Sequence, residues 1–467
     1  MSMAEPKERN KVSVDKIDED ILFPPDSTIK ELALALYGSS HRPNKMISAM
    51  TARAIIAFVA GGKYRSEEGD RVNIQQVLTA STGVGKNVAV KAFTGNSHEL
   101  FGEDNRELGY SLSGKIVRDT NSTVQGVMDT ALDGNHHDLL FQIDEYGTFL
   151  TEAKATKGGA FKAALNNMFL EIYSSADGIF VPRQLSRSGD PNRKQRFLHA
   201  PCFVVSAATT QSTLIDAVAE EDVSSGKMGR MCIFDADAYA EPPSRPRPFK
   251  ISEDLQNHMA KLADTKVLEQ NMILRDSDLI AGARVSSPIM IKFDHGVGDY
   301  FFDLSIKYYE MRESNEGGEL WARAVENMKK YACIEAVSED YLNPVVTMAM
   351  AKRCRKLVES SCVYMVNMFA EEVSVNELDG AEKAVVERLF DEGEGKWLPQ
   401  KVLRDLNKIR KLRSKREKDD VFAQLEEDNV IICNRVKNDR GKPTVLYRLS
   451  DMYFSIELKR KQARLKG

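Results

Sequence analysis

No two cysteines in this chain stand in a Cys-x-x-Cys arrangement, and the seven histidines show no metal-ligand spacing. The six cysteines (Cys202, Cys232, Cys333, Cys354, Cys362 and Cys433) therefore read as reduced, mostly buried thiols of a cytoplasmic protein. A zinc site or a disulfide framework is not expected. No uninterrupted apolar run of about 18 residues is evident, so no membrane span is expected. The N-terminus lacks the basic-then-apolar order of a secretory signal. What remains is a chain of 467 residues, 42% apolar, long enough for about three domains and apolar enough to bury sizeable cores.

The net charge of -4 conceals an asymmetry. From Lys401 to Gly467 there are 19 Lys and Arg against 10 Asp and Glu, an excess of +9 on an otherwise acidic body. A basic end of this kind suits a polyanion; it also suits a solvated helical face.

Composition shifts divide the chain. Residues 1–27 are polar and charged and read as a mobile segment. Residues 28–71 carry a helical pattern. Residues 72–240 alternate strand-like and helix-like runs, the mark of a parallel sheet with covering helices. Pro242, Pro243, Pro246 and Pro248 then make residues 241–250 a linker. Residues 251–375 read as a helical domain. Residues 376–467 read as three helices followed by a hairpin, the order of a winged helix with a basic tail.

Chemistry is concentrated in Ala80-Ser81-Thr82-Gly83-Val84-Gly85-Lys86-Asn87. This resembles a phosphate-binding loop with both ends altered, because Gly normally stands at the first place and Ser or Thr at the last. Gly83 and Gly85 permit a tight turn. Backbone N–H groups from Thr82 to Lys86, at the start of a helix, would cradle phosphates, and Lys86 would reach the β- and γ-phosphates. Ser81 and Val84 complete the loop. Asn87 falls where a hydroxyl normally ligates magnesium; its amide oxygen suits octahedral Mg2+ less well.

The strand Leu139–Ile143 ends in Asp144 and Glu145. Asp144 would hold the metal and Glu145 would polarise an attacking water, the two requirements of phosphoryl transfer. A third strand, Cys202–Ala208, ends in Thr209 and Thr210, which are candidates to sense the terminal phosphate or simply to cap the next helix. Arg230, in a glycine-bracketed basic loop before another strand, suits a finger that reaches into a neighbouring subunit's site; Lys227 is a weaker candidate for that role.

Two elements point to nucleic acid. Gly178 to His199 reads as a hairpin whose tip carries Arg183, Arg187, Arg193, Lys194 and Arg196, suited to gripping a phosphate backbone. In the C-terminal part, Arg413, Lys415 and Arg416 precede or open the third helix, and Arg435, Lys437 and Arg440 line the wing. Winged helices also bind proteins.

In this order the pieces resemble the phage- and prophage-borne P-loop ATPases associated with primase-helicases. The likeness rests on Ser81–Lys86, Ile143–Gly147, Cys202–Thr210 and Gly229–Met231, and more loosely on Trp321, Arg323, Met328, Lys329, Ala349 and Arg353. It spans roughly Thr28 to Met365 and implies a RecA-like core; with the readings above, the expected fold is α/β, a RecA-like P-loop NTPase core with a parallel sheet, a helical domain and a C-terminal winged-helix domain. The likeness also implies ATP and Mg2+ as cofactors and Lys86, Asp144, Glu145 and Arg230 in the roles above. Any primase would be a separate chain. The expected function is an ATP-dependent, DNA-stimulated motor: a hexameric helicase of a phage or mobile-element replisome, moving on single-stranded DNA in a bacterial cytoplasm. The alternative is a nucleotide-switched initiator or helicase loader that holds duplex DNA through the winged helix.

Overall fold

The computed structural model describes residues 16–118, 124–132, 138–155, 160–181, 198–218, 222–223, 226–264, 288–314, 318–369, 377–406, 409–410, 415–437, 443–455 and 458. They form a mixed α/β protein with parallel sheets and many helices, divided into one compact unit up to Phe369 and a second beyond it.

The first unit contains β1 (Tyr64–Ser66), β2 (Gln75–Thr79), β3 (Ile116–Arg118), β4 (Asp138–Ile143), β5 (Ile179–Phe180), β6 (Leu198–His199), β7 (Cys202–Thr209), β8 (Cys232–Asp235), β9 (Ile289–Phe293) and β10 (Val345–Val346). Five of these make the central sheet, in the order β3-β4-β7-β2-β8, and every pairing is parallel. All residues of β2, β4, β7 and β8 are buried, as expected where helices cover both faces. The polar Gln75 and Gln76 fit this interior because they bond across it. Gln75 Nε2 donates to the Phe169 carbonyl (3.0 Å) and Gln76 Nε2 to that of Met50 (2.8 Å), while Tyr331 Oη donates to Gln76 Oε1 (3.2 Å).

One helix, Lys45–Ala60, is buried from Met46 onward. With the turn that follows, Lys45–Lys63 is long and apolar enough to cross a membrane by length and composition, although Arg53 interrupts its apolar run. Here it is the core helix of the unit. Arg53 is fully buried, and its guanidinium donates to the carbonyls of Leu22 and Ile21 (both 2.8 Å) and to Glu335 (3.3 Å). Those partners offset the desolvation of its charge. Lys63 is equally buried and closes the helix Glu253–Asp264 by donating to the carbonyls of Leu262 (2.5 Å) and Ala263 (3.1 Å). Burial pushes its pKa down to about 8.

The structure corrects three expectations of organisation. The lead-in helices and residues 251–369 belong to the same unit as the core. Tyr364, on the helix Met348–Met368, is hydrogen-bonded to Thr79 of β2 (2.8 Å), and the β8 amide of Ile233 donates to Ser361 Oγ (2.8 Å). Second, residues 251–375 are not all helix or loop. The short strands β9 and β10 form a parallel three-stranded sheet with β1, in the order β1-β9-β10. Their two and five residues are too few for a period-2 signal to stand out. Third, the proline-rich stretch is a strap rather than a free linker. Ser244 N donates to the His41 carbonyl (3.1 Å), Arg247 N to the Gly38 carbonyl (2.8 Å), and Tyr37 Oη to Glu241 (2.5 Å). Proline fixes an extended path without needing its own N–H partners.

The second unit has helices Glu377–Glu392, Gln400–Arg404 and Lys415–Glu427, with β11 (Leu398–Pro399), β12 (Ile431–Lys437) and β13 (Pro443–Leu449). The sheet is antiparallel in the order β11-β13-β12. Its core gathers Ala381, Val385, Leu389, Leu403, Val421, Phe422, Leu425, Ile431, Tyr447 and Leu449. Among the described residues this is the expected helix, helix, helix and hairpin order.

Five of the six cysteines are buried and Cys433 is half-buried. Burial pushes the Cys232 thiol up to about 12 and raises Cys202, Cys333, Cys354 and Cys362 as well. Buried thiols stay protonated and unreactive. We expect one fast-reacting thiol in native protein at pH 8 and six in denaturant, as read by a disulfide-exchange reagent. Rapid native reaction of more than one thiol would contradict the packing.

Candidate nucleotide site and nucleic-acid surfaces

Because the central sheet is parallel, the carboxyl ends of β2, β4, β7 and β8 lie along one edge. Thr79 is level with both Thr209 and Asp235, and Ile143 with Ala207. Ligands of open parallel sheets bind outside this edge. The loops that leave it are Ala80–Lys86, Asp144–Glu145, Thr210 and Ala236–Asp237.

The first loop turns on two glycines with positive φ, Gly83 (+84°) and Gly85 (+97°), and feeds the helix Asn87–Gly95. The N–H groups of Thr82, Gly83, Gly85 and Lys86 have no protein acceptor among the described residues. Four unfilled donors beside a helix N-terminus make an anion cradle. Gly85 also presses against the chain, since a Cβ there would lie 2.4 Å from the Arg42 carbonyl oxygen. Ala80, which replaces the usual glycine, is buried with negative φ, and its N–H donates to the Thr209 carbonyl (2.9 Å). That position needs no glycine here.

Lys86 Nζ donates to Glu145 Oε1 at 3.1 Å. The lysine side chain is mostly covered and the glutamate half exposed. Glu145 is one of four non-glycine residues with positive φ among the described residues (+59°), at the N-cap of the helix Tyr146–Lys154. Such a conformation costs a non-glycine residue about 1 kcal/mol or more. It is held by the helix behind it, where Phe149 N donates to the Glu145 carbonyl (3.1 Å) and Gly147 N to Thr209 Oγ1 (3.2 Å). Asp144 and Asn87 are both exposed at this edge.

Thr209 does not stand where a phosphate sensor would. It is fully buried, and its hydroxyl accepts from Gly147, so it shapes the turn that carries Glu145. Thr210 caps the helix Gln211–Ala217 through the Thr213 N–H (3.2 Å), the plainer of the two roles expected for it. The sequence reading missed Asp237 altogether. Its carboxylate takes the Ser81 N–H (2.8 Å) and hydroxyl (2.9 Å), anchoring the start of the loop. Nothing local in the sequence signals this, because it depends on β8 lying next to β2.

Arg230 lies in a short turn, Met228–Arg230, just before β8. Since Cys232 is level with Gln76, Arg230 sits at the amino edge, opposite the loop. Five residues of strand rise separate it from Asp235, on the order of 15 Å. It cannot reach the site of its own chain. Lys227, the weaker candidate, is bonded to Asp222 (3.4 Å).

The hairpin base is present, with β5 and β6 antiparallel. Its tip residues Arg183, Arg187, Arg193, Lys194 and Arg196 lie outside the described residues, as do Arg413 and Arg440. In the second unit Lys415 and Arg416 are exposed at the start of their helix, and Arg435 and Lys437 along the outer half of β12, where every residue from Asn434 is exposed. Farther along the helix the exposed residues include Asp420 and Glu427, with Asp428 beyond its end. These would repel phosphates, so a duplex would meet only the first turn and the wing. Among the described residues no cluster of three or more His, Cys, Asp or Glu could hold a metal ion.

No family model matches this chain, and no curated protein matches it. Among solved structures, the Aeropyrum pernix ORC1 protein in complex with DNA aligns over 96% of this chain and 98% of that one, at 11% identity. The TM-score is 0.19, a value at which the two backbones do not follow a common path.

Proposed function

We propose that this chain is an ATP-hydrolysing machine that works on DNA. The observation that carries the reading is the meeting of Lys86, four unfilled loop N–H groups and Glu145 at the carboxyl edge of a parallel sheet. The loop amides and Lys86 would hold the phosphates, and Asn87 and Asp144 would hold Mg2+. The metal, when bound, would neutralise charge on the phosphates during transfer. Glu145 would exchange its ion pair with Lys86 for a hydrogen bond to the attacking water, while Lys86 turns to the phosphates. Arg230, too far from its own loop, would serve the site of an adjacent copy. The finer reading is a RecA-like hexameric ring of a phage or mobile-element replisome, moving on single-stranded DNA in a bacterial cytoplasm. Hydrolysis stimulated by single-stranded DNA and unwinding of a forked substrate by the protein alone are the expected results. A preparation that hydrolyses no nucleotide would overturn it.

A second reading is an initiator or helicase loader that uses nucleotide as a switch and holds duplex DNA through the C-terminal winged helix. Two observations favour it: Asn87 in place of a hydroxyl, and the basic wing. That protein would bind a forked substrate without unwinding it. Asn87→Thr separates the cases further. It restores the oxygen that octahedral Mg2+ prefers, and we expect turnover to rise several-fold with the KM for MgATP falling. An unchanged rate would show that Asn87 does not limit hydrolysis.

A further inference from the structure

The amino edge of the sheet holds a second arginine that the sequence reading assigned no role. Arg323 ends the turn after Gly318–Trp321 and stands at the N-cap of the helix Ala324–Glu339. A short chain of bonds ties it to Arg230. The Gly229 carbonyl accepts from Asn327 Nδ2 (3.1 Å), Asn327 Oδ1 accepts from Tyr173 Oη (2.8 Å), and the Arg323 guanidinium lies 5.8 Å from the centre of the Tyr173 ring. Gly229 packs closely on the turn before Arg323, since a Cβ there would lie 3.1 Å from the Glu319 carbonyl oxygen. Arg323 and the turn that carries Arg230 are thus tied to one set of bonded groups, Gly229, Asn327 and Tyr173.

Their charge is not balanced. Lys330 Nζ sits 4.1 Å from the same Tyr173 ring centre. Glu326 takes a bond from Arg323 (2.5 Å) and lies 3.7 Å from Lys330. Arg230 pairs with no carboxylate among the described residues. Its guanidinium donates to the Gly226 carbonyl (2.9 Å), and its Nε is buried without an acceptor. Burial, and then the neighbouring Arg323 charge, push the Arg230 pKa down from its ordinary value. Glu326 acts on Arg230, Arg323 and Lys330 together, with Asp70 also acting on Lys330, so an added anion would be favoured here.

We propose that Arg323 acts with Arg230 as a two-guanidinium clamp for a phosphoryl group held by the loop of a second copy of this chain. The proposal rests on the reading of Arg230 as a residue that completes a neighbour's site. Paired arginines suit this task because each planar fork can meet two oxygens of a phosphoryl group.

Mixing variants tests it. Lys86→Ala destroys the loop of a copy but keeps its arginines; Arg323→Ala and Arg230→Ala do the reverse. Alone, we expect Lys86→Ala to be inactive, Arg230→Ala to lose about 10³-fold in turnover, and Arg323→Ala to lose about 10- to 100-fold with little change in KM. Mixed with Lys86→Ala, both arginine variants should regain a substantial part of the wild-type rate, because intact loops then meet intact arginines. A residue that serves the loop of its own chain gains nothing from mixing. One that only props Arg230 recovers on mixing but adds nothing to the Arg230→Ala loss. Arg230→Ala/Arg323→Ala should therefore be slower than Arg230→Ala alone, and equal rates would overturn the clamp. Arg323→Gln, which still offers Glu326 a donor, is run beside Arg323→Ala in case the latter is unstable. Recovery for Arg230→Ala but for neither Arg323 variant would overturn this inference and leave the shared site standing. Recovery for none, from an active wild type, would overturn the shared site and this inference with it. An inactive wild type would overturn the functional reading beneath both.

Discussion

We expect Glu145→Gln protein to bind ATP at least as tightly as wild type and to turn it over about 10²- to 10⁴-fold more slowly. The expected rate loss follows from removing the carboxylate that pairs with Lys86. The binding result follows from the same contact. Lys86 is paired with Glu145 at 3.1 Å, so a phosphate that Lys86 is to hold must compete with an internal anion. The glutamate is half exposed, and such pairs contribute at most about 1 kcal/mol. Glutamine removes that competition, so the Kd should fall by a few-fold at most. Equilibrium binding of a fluorescent ATP analogue, beside single-turnover hydrolysis, reads both quantities. Weaker binding together with slower turnover would mean that Glu145 helps to hold Mg2+ rather than the water.

The second large effect is expected at Gly85. Alanine there meets two penalties. Its φ of +97° costs an L-residue about 1–3 kcal/mol, and its Cβ would lie 2.4 Å from a backbone oxygen, that of Arg42, which cannot swing aside as a side chain could. The loop must move, and the cradle of N–H groups moves with it. We expect Gly85→Ala to fold, to melt several degrees lower, and to lose the thermal shift that ATP gives the wild type. Gly83→Ala is the control. Its φ is also positive (+84°), but a Cβ there meets nothing within 4 Å. It should carry the strain and keep most of its nucleotide binding. Equal loss in the two variants would show that backbone conformation, and not the approach to Arg42, sets the loop.

The loop, the paired acids and the alternation of strands and helices were legible because each is local: a turn needs its glycines, and a buried strand needs its run of apolar residues. The order of elements in the C-terminal unit was legible for the same reason. What escaped depends on neighbours far away in sequence. Asp237 grips Ser81 only because β8 lies beside β2. Thr209 looked exposed at a strand tip, yet the turn at Gly147 closes over it. The four prolines read as a linker, but His41 and Gly38 bind the strap they stiffen. Arg323 is an ordinary basic residue until Gly229, Asn327 and Tyr173 bring it to Arg230.

The grip of Asp237 on Ser81, and the seat of Gly85 against Arg42, also bear on how the protein is made. The phosphate cradle joins residues 42, 81 and 237, so it cannot close until the chain past β8 has been synthesised and has docked beside β2. Contacts of such long sequence separation form slowly. In a refolding experiment, the gain of ATP binding should therefore arrive with the last kinetic phase, after the helical signal has recovered. On the proposed reading, nucleotide capture would then act as a completion signal, reporting that β8 has docked beside β2.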